Sequence, residues 1–567
     1  MTYKDKYNEW LNHPLIDKKL KAELLSMSEK DIENAFYTNI EFGTAGMRGI
    51  MGVGTNRINI HTIRKATLGF ANYLINNNKN GVAISYDNRN NSRDYAYDCA
   101  KLLASKGIKT YLFDSLRPTP ELSFAVRYYK CDGGIMITAS HNPKEYNGYK
   151  LYDETGCQLI PEIANEVTKE VNKIEDLLSI TIDDYDESLI QIVNSEVDRA
   201  YYDNVLSISL RKDINKDIKI VYSPEHGASY VPVRETMKEA GFNLIVVESQ
   251  AIPDGNFPNT KSPNPEDIRS YEGVIELARK VDGDLLLVCD PDGDRMGVGV
   301  KQGDDYLILN GNQTGAVLLE YILSTNKELG KEVKNPVMFN TIVTSDIGEA
   351  VANYYGVECE KTLTGFKYIG NKVKQYEENG LKNYVFGYEE SYGSLIKPFV
   401  RDKDATQACL MLAEAACYYH EQGKNLFDVL NDIFKRVGYY YDTQFSISLP
   451  GADGAIKLKE IMANIRENPL TIPNLKTLKI EDYKLRKIKY ADGEVEELNG
   501  FDLTDALKYY FEDGSFIAIR PSGTEPKCKF YLSTKAESYE AAIKKAEDFQ
   551  EIIKEIVKWL RILNKKL

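Results

Sequence analysis

Three times along this chain, apolar runs of strand length recur with helix-like segments among them, and each set ends in a strand followed by a polar loop. The first set holds GVAISYD (81–87), IKTYLFDS (108–115) and GGIMITAS (133–140). Between its first two runs, NSRDYAYDCAKLLASKG (91–107) reads as a helix that stops at glycine. The second holds IKIVYSPEHG (218–227), NLIVVES (243–249) and DLLLVCDPDGDR (284–295), with a helix over VPVRETMKEAG (231–241). The third holds PVMFNTIVTS (336–345), VECEKTLTG (357–365) and YVFGYEESYG (384–393). Alternation of this kind predicts parallel α/β sheets. Open parallel sheets take ligands beyond the carboxyl ends of their strands.

Other segments depart from the rhythm. The first forty residues are polar and read as helical, and EFGTAGMRGIMGVGTNRIN (41–59) is rich in glycine and reads as a loop. RDKDATQACLMLAEAACYYHEQGKN (401–425) reads as one helix, and mixed strands begin near 436. In the tail, Ala542, Ala546, Phe549, Ile553, Ile556, Leu560 and Leu563 step by fours and threes. That stripe suits a helix packed on the last domain or, alternatively, a coiled-coil partner. A chain of 567 residues exceeds what one core supports, so three to four domains are expected.

The balance of 43% hydrophobic and 28% charged residues is that of a soluble globular chain. A net charge of −14 argues against nucleic acid or an anionic membrane as partner, so an anionic substrate must be drawn by local basic loops. The start, MTYKDKYNEWLNHPLIDKKL, lacks the apolar stretch of a signal peptide, and runs such as LLLVC (285–289) are far too short to span a bilayer. Eight cysteines without a CxxC pair suit reduced thiols, so a cytoplasmic location is expected and a zinc site is not.

Four loops carry groups that chemistry uses. In DPDGDR (290–295), Asp290, Asp292 and Asp294 alternate beyond an apolar strand, and in an extended segment they would face one side. Three such carboxylates repel unless a cation lies among them, and hard oxygens select magnesium, calcium or manganese. The alternative is a solvated acidic turn. An EF-hand is excluded by Arg295 at the sixth position and Lys301 at the twelfth. RPSGTEPK (520–527) offers Arg520, Ser522, Gly523, Thr524 and Lys527 to an anion, or is a plain turn. EFGTAGMRG (41–49) either presents Arg48 to a phosphate from a flexible loop or is a structural turn, and GYEESYG (387–393) holds Glu389, Glu390 and Ser391, which suit a grip on sugar hydroxyls or an acidic surface loop. In TASHNPKEYNGYK (138–150), Ser140 stands beside His141. A serine alone is a weak nucleophile. One reading has Ser140 or Asn142 capping a helix with Pro143 in its first turn. The reading that joins all the loops is phosphoryl transfer, with a phosphorylated Ser140 as the fourth arm of a metal site and with Arg48 and Lys150 stabilising the moving group.

With these residues assembled, the chain resembles the α-D-phosphohexomutase superfamily, the phosphoglucomutase and phosphomannomutase enzymes. TASHNP (138–143), DPDGDR, YEES (388–391) and RPSGTEPK match its four loops in order, and GTAGMRG with LTGFKYIG (363–370) is most like the larger bacterial phosphoglucomutase branch. The resemblance implies three α/β domains and a smaller α+β C-terminal domain around a central cleft, with extents near 1–205, 206–318, 319–435 and 436–567. It implies one magnesium ion held by phosphorylated Ser140, Asp290, Asp292 and Asp294. Lys150 then moves protons with His141 and Arg48 nearby, and its pKa is expected to be lowered. Arg295, Thr364, Gly365, Glu389, Ser391, Arg520, Ser522, Gly523, Thr524 and Lys527 bind substrate. The implied activity converts glucose 1-phosphate to glucose 6-phosphate through glucose 1,6-bisphosphate, which also serves as activator. The implied partner is a small-molecule sugar phosphate, in a monomer or weak homodimer. Two positions depart from the family pattern near the sugar: Tyr388 lies between Gly387 and Glu389, and Ala405 follows Lys403-Asp404 where glycine is common. Mannose, glucosamine and pentose phosphates therefore stay open as substrates. A metal-dependent sugar phosphatase and a non-catalytic regulator remain as alternatives of other classes.

Overall fold

A computed structural model describes residues 1–43, 46–448, 454–521 and 527–563. The first sheet is built from β1 (Met47–Ile50), β2 (Gly81–Tyr86), β3 (Lys109–Phe113), β4 (Gly133–Ile137), β5 (Tyr146–Asp153) and β6 (Ile190–Val193). Its order is β1-β5-β4-β2-β3-β6. The second contains β7 (Lys219–Ser223), β8 (Asn243–Val246), β9 (Leu285–Cys289), β10 (Met296–Gln302) and β11 (Asp305–Leu309), in the order β11-β10-β9-β7-β8. The third contains β12 (Pro336–Thr341), β13 (Glu358–Thr362), β14 (Asn383–Tyr388) and β15 (Ser394–Leu395), in the order β13-β12-β14-β15.

One arrangement recurs in all three sheets. A central strand runs parallel to an earlier strand (β4 to β2, β9 to β7, β14 to β12) and then turns back into an antiparallel partner: β4 into β5, β9 into β10, β14 into β15. The three turns are the loops carrying Ser140, the three aspartates and Glu389. The repeat seen in sequence only as rhythm is thus a shared sheet order. The central strands GGIMI and LLLVC are buried at every residue, because helices cover both faces; this is why they read as unbroken apolar runs.

The three units share one core. A single buried cluster runs from Met136 and Tyr152 through Leu285 and Val298 to Phe339 and Phe386. Helix Ala405–His420 sits in its middle, touching β9, β10 and β15. It is buried on nearly all sides, as an all-round apolar helix must be.

The last domain is a wholly antiparallel sheet of β16 (Tyr439–Ser448), β17 (Thr477–Asp482), β18 (Lys487–Tyr490), β19 (Val495–Glu497), β20 (Leu507–Phe511), β21 (Phe516–Pro521) and β22 (Lys527–Ala536). Its order is β16-β22-β21-β20-β17-β18-β19. The tail helix Tyr539–Leu563 lies along β16 and β22, with Ala542, Ala546, Phe549 and Ile553 buried. For these residues the stripe packs on the domain; the side chains of Leu560 and Leu563 lie outside the described residues.

Four expectations change. Arg48 does not ride a flexible loop: Met47–Ile50 is an edge strand paired with β5. No helix starts at Pro143, where a turn leads into β5. The single helix expected over 401–425 is shorter, Ala405–His420, and Arg401–Asp404 are drawn out of it. The domain cuts expected at 205/206 and 318/319 fall inside helices Ser195–Ser207 and Gly311–Glu328.

Candidate active site

Ser140 follows β4 in a left-handed conformation, φ 52°. It is buried, and its Oγ donates to Asp290 Oδ2 at 2.7 Å across the boundary between the first two units. His141 Nδ1 lies 3.1 Å from the same oxygen, so adjacency in sequence does become contact in space. Burial and the guanidiniums of Arg295 and Arg48 hold this imidazole well below its ordinary pKa. Arg48, exposed, donates from Nη1 to Asn142 Oδ1 at 2.9 Å and so lies over the Ser140 loop.

Asp290, Asp292 and Asp294 converge, but not by strand alternation. The loop is a turn wound around Asp290, whose Oδ1 accepts from the N–H groups of Asp294 and Arg295 at 3.1 and 3.0 Å. Gly293 makes the turn possible: it sits at φ 64°, where a Cβ would meet Pro118 at 2.8 Å. One oxygen from each aspartate lies within 4.8 Å of the others, and all three residues are buried. Such a cluster needs compensating charge. Lys150 supplies part of it, with Nζ 2.7 Å from Asp292 and 3.6 Å from Asp294. Lys403 adds more, with Nζ 3.1 Å from Asp294. Asp292 Oδ1 and Asp294 Oδ1 remain buried with no hydrogen-bond partner. Unpartnered hard oxygens beside a third carboxylate fit a divalent cation.

The expected low pKa of Lys150 is not found. Burial pushes its amine down, but Asp292 and Asp294 outweigh burial and hold it above the ordinary value.

In the third unit, Glu389 is buried and its Oε1 accepts from the N–H of Gly365 at 2.8 Å, joining two loops of that unit. Thr364 Oγ1 is buried without a partner, and Ser391 is half-buried. Arg520 lies near the end of β21 and Lys527 opens β22. Ser522, Gly523 and Thr524 lie outside the described residues. Arg295 Nη1 donates to Glu266 Oε1 at 2.6 Å, and Gln444 of the last domain donates to Glu266 Oε2 at 3.2 Å.

Several contributors escaped the sequence reading. Lys403 was in view only through its neighbour Ala405. Thr119, whose Oγ1 donates to Asp292 Oδ2 at 2.9 Å, opens a helix in the first unit. Glu266 carries no local motif. The short string Arg401-Asp402-Lys403-Asp404, too charged to begin a buried helix, was the one usable signal.

Three α/β sheets with one hairpin order, each hairpin carrying a polar loop, and a wholly antiparallel last domain define the architecture. Family descriptions agree segment by segment: phosphoglucomutase/phosphomannomutase alpha/beta/alpha domain I matches 39–177, domain II 199–303, domain III 310–437, and the C-terminal domain 481–552. The chain belongs to the phosphoglucomutase/phosphomannomutase family, a family of isomerases that act by intramolecular phosphotransfer. A phosphoglucomutase of Staphylococcus epidermidis is 38% identical over 550 residues, covering 95% of this chain and 99% of its own. One from Staphylococcus aureus is 38% identical over 525 residues, covering 91% and 94%. Among solved structures, a phosphoglucomutase/phosphomannomutase family protein from Burkholderia thailandensis superposes with a TM-score of 0.67 at 18% identity, over 91% of this chain and 97% of that one. The open form of Paramecium pp63/parafusin gives 0.67 at 19%, over 91% and 95%. At these identities the likeness concerns the fold.

Proposed function

We propose that this enzyme interconverts glucose 1-phosphate and glucose 6-phosphate through a phosphorylated Ser140 and a glucose 1,6-bisphosphate intermediate, which also serves as activator. The observation that carries the reading is the 2.7 Å approach of Ser140 Oγ to Asp290 beside two further buried carboxylates. Glucose is favoured by the relatives named phosphoglucomutase.

In this reading phosphoserine 140 gives its phosphoryl group to the free hydroxyl of the monophosphate. The bisphosphate turns over in the cleft, and its other phosphoryl group returns to Ser140. Asp290, Asp292 and Asp294, with a phosphate oxygen on Ser140, would hold one magnesium ion. When bound, it supplies positive charge to the phosphoryl group in transfer. Arg48 and His141 lie beside the Ser140 loop, and Lys150 is the proposed proton carrier for the reacting hydroxyl, a role in which a cation among Asp292 and Asp294 would offset the carboxylates that raise its pKa. Glu389, Ser391, Thr364, Gly365 and Arg295 orient the sugar, while Arg520, Ser522, Gly523, Thr524 and Lys527 grip the distal phosphate in either orientation. The four-part division and a monomer or weak homodimer belong to the same reading, as does a cytoplasmic location. Among the described residues no helix is long and apolar enough to cross a membrane.

The test is phosphorus NMR on the protein with magnesium, glucose 1-phosphate and a trace of glucose 1,6-bisphosphate. Growth of the glucose 6-phosphate signal supports the proposal. A flat signal with glucose but turnover of mannose, glucosamine or ribose phosphate moves the substrate. Free phosphate released at a comparable rate replaces the mutase with a phosphatase.

A further inference from the structure

One guanidinium lies against the Ser140 loop and bonds to its backbone. Arg89 is 3% exposed. Its Nη1 donates to the carbonyls of Pro143 and Tyr146 at 2.9 and 3.0 Å, and its Nη2 donates to those of Ser140 and Asn142. Four carbonyl dipoles of one short loop therefore point at a single cation. The one positive charge offsets the mutual repulsion of these four dipoles. No other side chain offers a planar fork with enough donors for four acceptors; a lysine has three donors on one point.

The guanidinium is itself anchored. Its Nε lies 3.3 Å from Asp87 Oδ2 as an ion pair without a hydrogen bond, the Arg89 backbone N–H donates to Asp87 Oδ1 at 2.9 Å, and Asp87 accepts further bonds from Ser92 Oγ at 2.8 Å and from Thr138 Oγ1 at 2.6 Å. Thr138 Oγ1 in turn accepts the N–H of Ser140 at 2.8 Å. An unbroken path thus runs from Arg89 through Asp87 and Thr138 to the backbone of Ser140. That residue holds a left-handed conformation, which a side chain with a Cβ keeps only when its surroundings impose it.

The second unit covers the other face. Phe257 lays its ring 5.3 Å from the guanidinium carbon. Asn88 Nδ2 donates to Asp254 O at 2.9 Å, and Asn90 Nδ2 to Asn256 Oδ1 at 3.1 Å. A Cβ on Gly255 would meet Asn90 N at 2.5 Å, so glycine permits this close seat. The unit that carries the aspartates therefore also clamps the brace under Ser140, which ties the serine's position to that of Asp290.

We propose that Arg89, with Asp87 and Thr138, is the positioning element that sets Ser140 Oγ for phosphoryl transfer and keeps the loop carbonyls turned away from the transferring group. The proposal rests on the phosphoserine reading. Misplacing a reacting atom by about 1 Å costs on the order of 100-fold in rate.

The experiment compares full-length wild type, Arg89→Lys, Arg89→Ala and Thr138→Val. It follows phosphate on Ser140 by quenched intact mass after mixing with magnesium and glucose 1,6-bisphosphate, together with kcat, KM and glucose 1-phosphate affinity. In Arg89→Lys, both phosphoserine formation and kcat fall about 100-fold while affinity for glucose 1-phosphate stays within about twofold. Millimolar guanidinium restores at least about tenfold of the loss in Arg89→Ala and nothing in Arg89→Lys, a pattern that a general stabilising role does not give. Thr138→Val, nearly isosteric, loses about tenfold in kcat and carries the test if the arginine variants do not fold. A folded arginine variant with kcat within threefold of wild type, or a loss confined to KM, overturns the proposal. Wild type that never gains phosphate on Ser140 overturns the functional reading along with it.

Discussion

The surroundings of Ser140 and of Glu389 are built on different terms. At the Ser140 end the polar groups already hold one another: Ser140 on Asp290, Lys150 on Asp292, Lys403 on Asp294. These groups come from all three α/β units and are buried. Around Glu389, the side chain holds the Gly365 N–H and the backbone N–H reaches Gly393 O, while Thr364 Oγ1 is left without a partner and Ser391 is half-buried. A preassembled site costs little reorganisation when charge moves, which suits chemistry common to every sugar phosphate. Open valences suit recognition, because a site with unpaired polar groups rejects a ligand that cannot pair them. Under the proposed function, substitutions around Ser140 and around Glu389 should separate kcat from KM.

The largest effect belongs to Ser140→Ala. Turnover falls by several orders of magnitude, while affinity for glucose 1-phosphate in calorimetry changes less than about threefold. Retained mutase activity, or a parallel loss of binding, would erase the contrast between the ends. Next is Asp292→Asn, which removes one charge of the cluster and the partner of Lys150. It should lower kcat about 100- to 1,000-fold. A thermal readout tests the metal apart from turnover. Magnesium at 100 times its dissociation constant should stabilise the wild type by about 2.7 kcal/mol. That rise should vanish with a chelator and shrink in Asp292→Asn; an identical rise in both proteins places the cation elsewhere.

The same contrast explains what the sequence disclosed. Strands buried on both faces announce themselves as LLLVC or GGIMI, and loops that must carry charge concentrate it into short strings such as DPDGDR. Four such strings in order made the site legible. What stayed hidden depends on pairing between distant residues. Met47–Ile50 is a strand because Tyr146–Tyr149 lies beside it, and its glycine gives no local sign of that. Arg89 acts on a loop 51 residues away in sequence, and nothing in its own neighbourhood marks it. The aspartates converge through a turn about Asp290 rather than through strand alternation, so a correct grouping came from the wrong geometry. Lys150 was expected to be acidified by a cationic neighbour, yet two carboxylates that only the fold brings near it win.

At the recognition end, Arg520→Ala should act mainly on substrate affinity. A charge-assisted hydrogen bond to phosphate is worth about 1.5–3 kcal/mol. KM for glucose 1-phosphate should rise about 10- to 100-fold, with kcat within about threefold. In the proposed role the guanidinium meets the phosphate in ground state and transition state alike, so its loss should weaken both. A fall in kcat at unchanged KM would move Arg520 into the reaction end.

The smallest effect concerns Glu390, the neighbour of Glu389. Its Oε2 accepts from Thr344 at 3.0 Å and Thr341 at 3.2 Å. Burial and the adjacent Glu389 push its carboxyl from 4.5 up to about 7. The folded state therefore holds this proton more tightly than the unfolded chain. The stability it contributes is complete below about pH 4.5 and is lost as pH rises through 7, a change of at most roughly 3 kcal/mol. Glu390→Gln keeps an acceptor for both threonines and removes the ionisation. Its thermal midpoint relative to wild type should therefore climb by a few degrees between pH 5 and 8. The Ser140 end should not follow, since no group there changes in this variant and kcat at pH 7 should stay within about twofold. Parallel stability curves would mean that Glu390 ionises as freely as in solvent, and a pH-dependent fall in kcat would mean that the two ends are coupled through Glu389.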